Sequence, residues 1–217
     1  MFIFGYGSLI FSPGINGRGM RKTYKEEDLH TAKLYGYSRK WNAVWNNVLF
    51  LGCSQAVGGL MNGVVFEIDE SDLPIFLHSE GIGRQDCDDV YKLVDVTDAV
   101  VCDRGFKIPR GDRVLVCMTA NPSTDGDIHS YYIDYVKTGL AARGEKFAKL
   151  FHETTEPADI YMSLDRHEFC SECGDPTGRA GNFHDSVFVI IAGEKKGPLC
   201  DECADRLESD GGELIYE

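Results

Sequence analysis

The sequence predicts an α+β protein in which a mixed or antiparallel sheet with flanking helices is followed by a small cysteine-rich module. Short runs rich in β-branched and aromatic residues alternate with turns that contain glycine or proline. Helical patterns are confined to a few segments between and after these runs. From about Asp165 the chain becomes acidic and its cysteines occur in pairs, which predicts a domain boundary between Glu156 and Asp165.

The predicted strands are apolar or alternating runs bounded by turn residues. The first, residues 1–4, stops at a glycine-containing loop, residues 5–8. Glycines on both sides of Tyr6 permit backbone conformations in which consecutive N–H groups converge on an anion. Further strands are predicted at residues 33–45, 59–68, 91–96, 100–102 and 113–119. Trp41 and Trp45 fit packing in the core or a cavity wall better than direct contact with a substrate.

A predicted helix at residues 71–81 carries the first candidate catalytic group. Its apolar residues and one carboxylate share a face: Leu73, Phe76, Leu77 and Glu80. An inward carboxylate at the end of a helix can act as a general base, and Glu80 is therefore a catalytic candidate. The alternative is a structural ion pair between Glu80 and an arginine such as Arg39 or Arg84. Two further helices are predicted at residues 129–138 and 144–153, with a break at Gly139.

The composition and the charge of the sequence argue against a membrane or a nucleic acid as a partner. The 217 residues are 43% hydrophobic and 26% charged, as in ordinary globular proteins. The chain has no apolar run near the roughly 20 residues of a spanning helix and no basic flank of a secretory signal, which predicts a cytoplasmic protein without a membrane partner. Residues 157–217 carry 14 acidic and 5 basic residues, which is −9 of the total charge of −13. Such a surface repels a phosphate backbone, so no nucleic-acid partner is expected.

Four of the eight cysteines form two CxxC pairs with 26 residues between them: Cys170, Cys173, Cys200 and Cys203. Four thiolates at this spacing predict a structural Zn²⁺ site in a module of residues 165–217. A β-run at 186–192, expected to form part of a hairpin, and a short helix from Ala204 complete a pattern that resembles a treble-clef zinc finger. Four cysteine ligands leave no coordination position open, so the zinc should stabilise the module and take no part in catalysis. His167 and His184 are alternative ligands.

Residues 1–156 resemble the γ-glutamylcyclotransferase superfamily through motifs that follow one another in the order typical of it. The motifs are Tyr6-Gly7-Ser8-Leu9, the run LYGYSRKWN at 34–42, GVVFEI at 63–68 leading to Glu80-Gly81, YKLVDV at 91–96 and FHETT at 151–155. Each motif alone is weak, but their order and separation make the resemblance specific. It implies a γ-glutamylcyclotransferase-like domain at 1–156 with a small closed mixed β-barrel and flanking helices.

The resemblance also implies a reaction and a set of site residues. In the family reaction the α-amine of a γ-glutamyl group attacks its own side-chain carbonyl, which forms 5-oxoproline and expels an amine or amino acid. Glu80 matches the catalytic glutamate, and no catalytic cofactor is implied. Backbone N–H groups of the first loop would hold the α-carboxylate or polarise the carbonyl. The implied substrate-binding residues are Tyr6, Gly7, Ser8, Leu9 and Tyr91.

Two functions from different classes follow. The first is a γ-glutamylcyclotransferase-type enzyme, a transferase or lyase acting on a small γ-glutamyl substrate. The alternative is a non-catalytic protein that binds a protein partner through the acidic zinc module. Glu80 favours the enzyme. Residues 81–90 form a longer and more acidic loop than in many members of the family, so the resemblance does not identify the leaving group.

Overall fold

Two sheets and five α-helices make up the part of the chain that the structure describes. The computed structural model describes residues 1–84, 88–103, 105–156, 168–175, 177 and 186–216. The strands are β1 (Phe2–Gly5), β2 (His30–Trp45), β3 (Val48–Glu67), β4 (Tyr91–Asp95), β5 (Val100–Cys102), β6 (Val114–Thr119), β7 (Thr155–Glu156), β8 (Val187–Ile191), β9 (Glu194–Lys196) and β10 (Glu213–Tyr216). The helices are α1 (Ser12–Asn16), α2 (Leu73–Ser79), α3 (Ser130–Arg143), α4 (Glu145–Glu153) and α5 (Asp201–Ser209).

The first sheet has the strand order β4-β6-β1-β3-β2-β5, with β7 paired to β2. β1 is parallel to β6 and β2 to β7, whereas the other neighbours are antiparallel, so the predicted mixed sheet is confirmed. The sheet curls into a half-barrel. Along the described strands, its hydrogen-bonded order ends at β4 on one side and at β5 on the other.

The longest element is the hairpin formed by β2 and β3, of 16 and 20 residues. Its turn is Asn46-Asn47, directly after the strand predicted at 33–45, and the positive φ angles of 50° and 64° are those of a type I′ turn. The second strand differs from the prediction, because β3 is continuous from Val48 and includes the glycine-containing stretch 52–59. Gly52 lies where the side chains of Asn42 and Thr119 leave no room for a Cβ atom, so this glycine permits close packing and is not in a turn.

The helices confirm the predicted segments but differ at two positions. The helix predicted from residue 71 begins at Leu73, and its N-cap residue is Asp72, whose side chain does not bond to the helix. α3 continues through Gly139, where we expected a break, and ends before Gly144, whose φ is +87°. A Cβ atom at position 139 would lie 2.8 Å from Ile10 Cγ1, so glycine allows α3 to pack closely against the N-terminal turn.

The core of this domain lies on both faces of the curled sheet. One face buries Phe4, Leu34 and Val116, and α3 and α4 cover Trp41 and Leu49 elsewhere in the sheet. Trp41 is therefore a core residue, as expected. Among the described helices, none combines the length and the apolar character that crossing a membrane would require.

The second sheet, in the order β10-β8-β9, packs with α5 around a separate small core. Val187, Val189 and Leu207 are buried there together with Cys170 and Cys203. The β-run and the helix predicted for this module are both present. The predicted boundary between residues 156 and 165 lies outside the described residues.

Candidate active site and metal centre

A cavity of about 350 Å³ opens where α2 ends, beside the turn at residues 7–10, the loop after α1 and the start of α3. Three of the predicted site residues, Ser8, Glu80 and Tyr91, lie in its wall. A larger groove of about 1010 Å³ runs between the start of β2 and α4, but its described lining contains none of the predicted site residues. The chemistry of the smaller cavity therefore makes it the candidate active site.

Glu80 is the C-cap residue of α2, and its backbone N–H donates to the Phe76 carbonyl at 3.0 Å. Phe76 is fully buried, and the periodicity that places it in the core turns Glu80 inward as well. Glu80 is 8% exposed. Its Oε1 accepts a hydrogen bond of 2.6 Å from Arg18 Nε, whereas Oε2 has no hydrogen-bond partner among the described residues. One oxygen of this buried carboxylate is thus held by a cation.

Arg18 joins Glu80 to the N-terminal turn, because its Nη2 donates to Ser8 Oγ at 2.9 Å. Burial alone would lower the pKa of Arg18, but the charge of Glu80 and their hydrogen bond outweigh it and raise the pKa above its usual value. The guanidinium therefore stays charged at every physiological pH. Sequence analysis missed Arg18, and the only local signal was a charged residue between two glycines, Gly17 and Gly19.

The loop of residues 17–25 carries Arg18 and is tied at two places. At its ends, the Asn16 side chain and the Tyr24 backbone exchange two hydrogen bonds of 2.9 and 2.8 Å. In its middle, the backbone N–H groups of Arg21 and Lys22 each donate to the Asp72 carboxylate at 3.0 Å. These bonds, from Lys22 first and Arg21 second, lower the pKa of Asp72. Asp72 precedes α2, so the same helix that carries Glu80 also holds the loop that carries Arg18.

The turn at residues 7–10 requires glycine at its first position. Gly7 has a φ of +62°, and a Cβ atom there would lie 2.8 Å from the Tyr132 hydroxyl. The N–H of Leu9 donates to the Tyr6 carbonyl at 3.3 Å, and the Leu9 side chain is buried in the core. Of the three backbone N–H groups that the resemblance implies, those of Gly7 and Ser8 are therefore the better candidates for contact with an anion.

The two predicted tyrosines are placed differently. Tyr91 lines the cavity, and its hydroxyl donates to the Leu51 carbonyl at 3.1 Å. Tyr6 is not among the described residues of the cavity wall, and its buried hydroxyl donates to the Cys117 carbonyl on β6. Burial raises the pKa of Tyr6 and of Tyr91 well above the usual value, so both phenols are neutral.

Aromatic side chains that sequence analysis did not assign to the site complete the cavity wall. They are Trp45, Phe50, Tyr131, Tyr132 and Tyr135. Trp45 and Phe50 come from the long hairpin, whereas the three tyrosines project from the first turns of α3. Trp45 thus belongs to a cavity wall, one of the roles expected for it. The spacing of Tyr132 and Tyr135 on one helix was the available signal.

Neither of the arginines considered as ion-pair partners of Glu80 pairs with it. Arg39 is fully buried and donates to the carbonyls of Asn62 and Phe151, the latter at 3.1 Å. Arg84 lies over the Trp45 ring at 5.1 Å from its centroid. Glu80 does form an ion pair with an arginine, as the alternative interpretation of the sequence expected. The partner is Arg18, which lies on the wall of the cavity.

The four predicted zinc ligands come together beside the second sheet. The Sγ atoms of Cys170, Cys173, Cys200 and Cys203 all lie within 4.8 Å of one another. Cys173 and Cys200 have their Sγ atoms 3.7 Å apart, and Zn–S bonds of about 2.3 Å would place tetrahedral sulfurs roughly 3.8 Å apart. The donor set therefore fits a tetrahedral Zn²⁺ ion.

Two residues singled out in the sequence, His167 and His184, lie outside the described residues. The histidines were alternative zinc ligands, and the four cysteines form a complete tetrahedral set without them.

Comparison with known proteins identifies the fold. No protein-family model and no curated protein sequence matches this chain. Among solved structures, it is similar to a gamma-glutamyl cyclotransferase, with a TM-score of 0.53 and 18% identity over 74% of this chain and 90% of the other. An uncharacterised protein from Homo sapiens gives a TM-score of 0.52 and 19% identity over 73% and 89%. YkqA from Bacillus subtilis gives 0.50 and 18% over 69% of this chain and 51% of its own. This chain therefore has the γ-glutamylcyclotransferase fold.

Proposed function

We propose that this protein is a γ-glutamylcyclotransferase-type enzyme, which converts the γ-glutamyl group of a small conjugate to 5-oxoproline and releases an amine or amino acid. The observation that carries the proposal is the position of Glu80, a buried carboxylate in the wall of a cavity beside Ser8 and Arg18. The fold shared with a gamma-glutamyl cyclotransferase supports it.

The paired charges of the cavity suit the two charges of a glutamyl group. We assign the α-carboxylate to Arg18 and to the backbone N–H groups of Gly7 and Ser8. The α-ammonium then faces Glu80, whose Oε2 is not hydrogen bonded to any described residue. In this orientation the γ-carbonyl lies toward the aromatic wall, and the leaving group extends along it.

The reaction needs one proton carrier. Glu80 takes a proton from the α-ammonium, and the free amine attacks the γ-carbonyl carbon, so that a new C–N bond closes the five-membered ring. Glu80 returns this proton to the leaving nitrogen as the C–N bond of the γ-amide breaks. It then takes the second proton from the ring nitrogen and passes it to the departing amine, which leaves as an ammonium ion. Because the nucleophile is tethered to the carbonyl, effective molarities of about 10⁵ M or more are available from geometry alone. Holding the reactive conformer and relaying these two protons through Glu80 therefore suffice.

The test is the release of 5-oxoproline from a panel of γ-glutamyl peptides and γ-glutamyl amines by the purified full chain and its Glu80→Gln variant. The variant keeps the shape of the side chain and its contact with Arg18, so it should fold, and its rate should fall by at least about 10²-fold. The matched control is Glu70→Gln, an exposed carboxylate that is not among the described residues of the cavity lining. An equal rate in Glu80→Gln and wild type would remove Glu80 from its role.

We also propose that the four cysteines hold a structural Zn²⁺ ion, which when bound supplies folding energy to the module. The coordination would be complete with Cys170, Cys173, Cys200 and Cys203. Elemental analysis of protein purified without added zinc should give about one zinc per chain. Cys173→Ser should lose the metal and the hydrogen-exchange protection of residues 186–216, whereas Cys102→Ser should retain both. Full protection in metal-free wild-type protein would contradict the proposal.

A cytoplasmic location completes the proposal. Cys53, Cys102 and Cys117 are free thiols, and Cys53 and Cys117 are buried in the first domain. Free thiols together with a thiolate metal site are typical of proteins that reside in a reducing compartment.

A further inference from the structure

Apart from Arg18 and Glu80, the candidate active site has an aromatic wall. Its aromatic residues are Trp45, Phe50, Tyr91, Tyr131, Tyr132 and Tyr135. Phe50 and Tyr132 pack edge to face with ring centroids 4.9 Å apart, so the wall is a packed surface and not a set of separate side chains.

Hydroxyl groups of this wall are already engaged with the backbone. Tyr91 Oη donates to the Leu51 carbonyl at 3.1 Å, and Tyr132 Oη accepts from the Leu51 N–H at 3.4 Å. Tyr135 Oη donates to the Pro13 carbonyl at 3.0 Å. The Tyr91 and Tyr135 protons are thus committed to carbonyls, and the Tyr132 oxygen is engaged as an acceptor. A ligand therefore meets mainly the ring surfaces of the three tyrosines, which favour apolar and aromatic groups.

In the proposed binding mode, both charged residues of the described cavity lining, Arg18 and Glu80, pair with charges of the glutamyl group. Among the described lining residues, Arg18 and Glu80 are the only ones with a formal charge, and they are paired with each other. A second carboxylate or an ammonium on the leaving group would enter the cavity without a counter-ion, which is costly. Arg84 is not part of the described lining and lies over the Trp45 ring.

On the basis of the proposed function, we propose that the site selects γ-glutamyl conjugates whose leaving group is aromatic and uncharged, such as γ-glutamyl arylalkylamides. The cavity of about 350 Å³ is at the small end of ligand pockets, which span about 300–1,000 Å³. It therefore suits a glutamyl group with one additional ring. The conjugate reacts as described above, and the aromatic amine departs with the proton carried by Glu80.

Three compounds test the two parts of this inference separately. γ-Glutamylphenethylamide has the ring and no charge on the leaving group; γ-glutamylphenylalanine adds one carboxylate, and γ-glutamylethylamide lacks the ring. We expect kcat/KM for the phenethylamide to exceed that for each of the other two by at least about 10-fold, from 5-oxoproline release by the full chain. Glutathione, whose leaving dipeptide bears a carboxylate, should be a poor substrate for the same reason.

A variant of an exposed residue of the aromatic wall tests whether this wall causes the preference for an aromatic leaving group. Tyr131 is 59% exposed, so Tyr131→Leu should not disturb folding. It should reduce the kcat/KM ratio of phenethylamide to ethylamide by about 2- to 10-fold, the value of one aromatic contact. Tyr35→Leu is the matched control, because Tyr35 is a 48% exposed tyrosine on β2 that is not among the described lining residues. This control should leave the ratio unchanged.

The outcomes distinguish this inference from the function on which it rests. If γ-glutamylphenylalanine, glutathione or the ethylamide releases 5-oxoproline as fast as the phenethylamide, the selectivity is wrong and the cyclotransferase activity stands. An equal change of the ratio in Tyr131→Leu and Tyr35→Leu would also overturn the role of the wall. If no γ-glutamyl compound releases 5-oxoproline, the proposed function fails and this inference fails with it.

Discussion

Two arginines lie inside the first domain, and they differ in what they face. Arg18 pairs with the Glu80 carboxylate on the wall of a cavity, and its side chain is 23% exposed. Arg39 is 0% exposed and donates to the carbonyls of Asn62 and Phe151 and to Thr155 Oγ1. It also stacks on the Phe151 ring at 3.5 Å.

The difference shows that the partner of a buried arginine, and not its burial alone, separates a structural role from a role at the site. Burial lowers the pKa of Arg39 to about 9, and no described carboxylate pairs with this charge. Its bonds join β2 and β3 to the last turn of α4, so Arg39 acts as a structural brace. Arg18 instead holds the one carboxylate that opens on the cavity among the described lining residues, which is why we propose a role for it in ligand binding. Removing Arg39 should therefore affect stability, and removing Arg18 should affect activity.

The largest expected effect is the loss of stability in Arg39→Met. Methionine retains most of the apolar volume, but the buried Asn62 carbonyl loses the Arg39 donor and the Phe151 carbonyl keeps the Thr155 hydroxyl without the guanidinium. Each lost bond to the guanidinium costs about 1–3 kcal/mol. We expect the free energy of unfolding, measured in urea, to fall by about 2–5 kcal/mol. The rate of 5-oxoproline release per folded molecule should be retained. A stable Arg39→Met protein that has lost its activity would show that Arg39, and not only Arg18, acts in the site.

The second effect is the loss of activity in Arg18→Met. The variant loses the cation that holds Glu80 Oε1 and contacts Ser8, so kcat/KM should fall by about 10²-fold. Its loss of stability should be smaller than that of Arg39→Met, because water in the cavity can solvate the remaining carboxylate. If the Arg18–Glu80 pair is only structural, the double variant Arg18→Met/Glu80→Gln should regain the stability and the activity that Arg18→Met loses. We expect this double variant to recover stability and to remain inactive.

Sequence patterns predicted the groups whose positions depend on local periodicity. The spacing of Phe76 and Glu80 on one short helix placed the carboxylate inward, and the CxxC spacing placed four sulfurs within reach of one metal ion. Turns and periodicity also predicted most of the longer elements, but they missed the short elements α1, β7, β9 and β10 and did not predict the continuous β3 and the unbroken α3. In β3 and in α3 a glycine serves close packing, which the sequence alone does not distinguish from a turn.

The remainder of the site depends on contacts between distant parts of the chain. Arg18 lies in a loop without periodicity, and a carboxylate about 50 positions away holds that loop in place. The aromatic wall combines residues of the long hairpin with residues at the start of α3, so no single segment contains its pattern. Arg39 was considered as a partner of Glu80, but its bonds to carbonyls left no signal in the sequence.

The smallest effect concerns the tie between Asp72 and the loop that carries Arg18. The Asp72 carboxylate accepts from the N–H groups of Lys22 and Arg21, and these bonds lower its pKa. A lowered pKa means that the tie is fully present above the unfolded value of about 3.9 and is lost as the pH falls through the folded value. Arg18 should therefore remain in place throughout the neutral range and become less ordered only in stronger acid.

Asp72→Asn imitates that acid state at neutral pH, because an amide has one acceptor oxygen for two N–H donors. We expect kcat/KM for 5-oxoproline release to fall by about 3- to 10-fold, with hydrogen exchange increased in residues 17–25. Asp69→Asn, an exposed carboxylate just before α2, is the matched control. If exchange in the loop increases without any change in rate, Arg18 does not depend on Asp72 for its position. If Arg18→Met then loses rate and Asp72→Asn does not, the activity depends on the Arg18–Glu80 pair and not on the bonds between Asp72 and the loop.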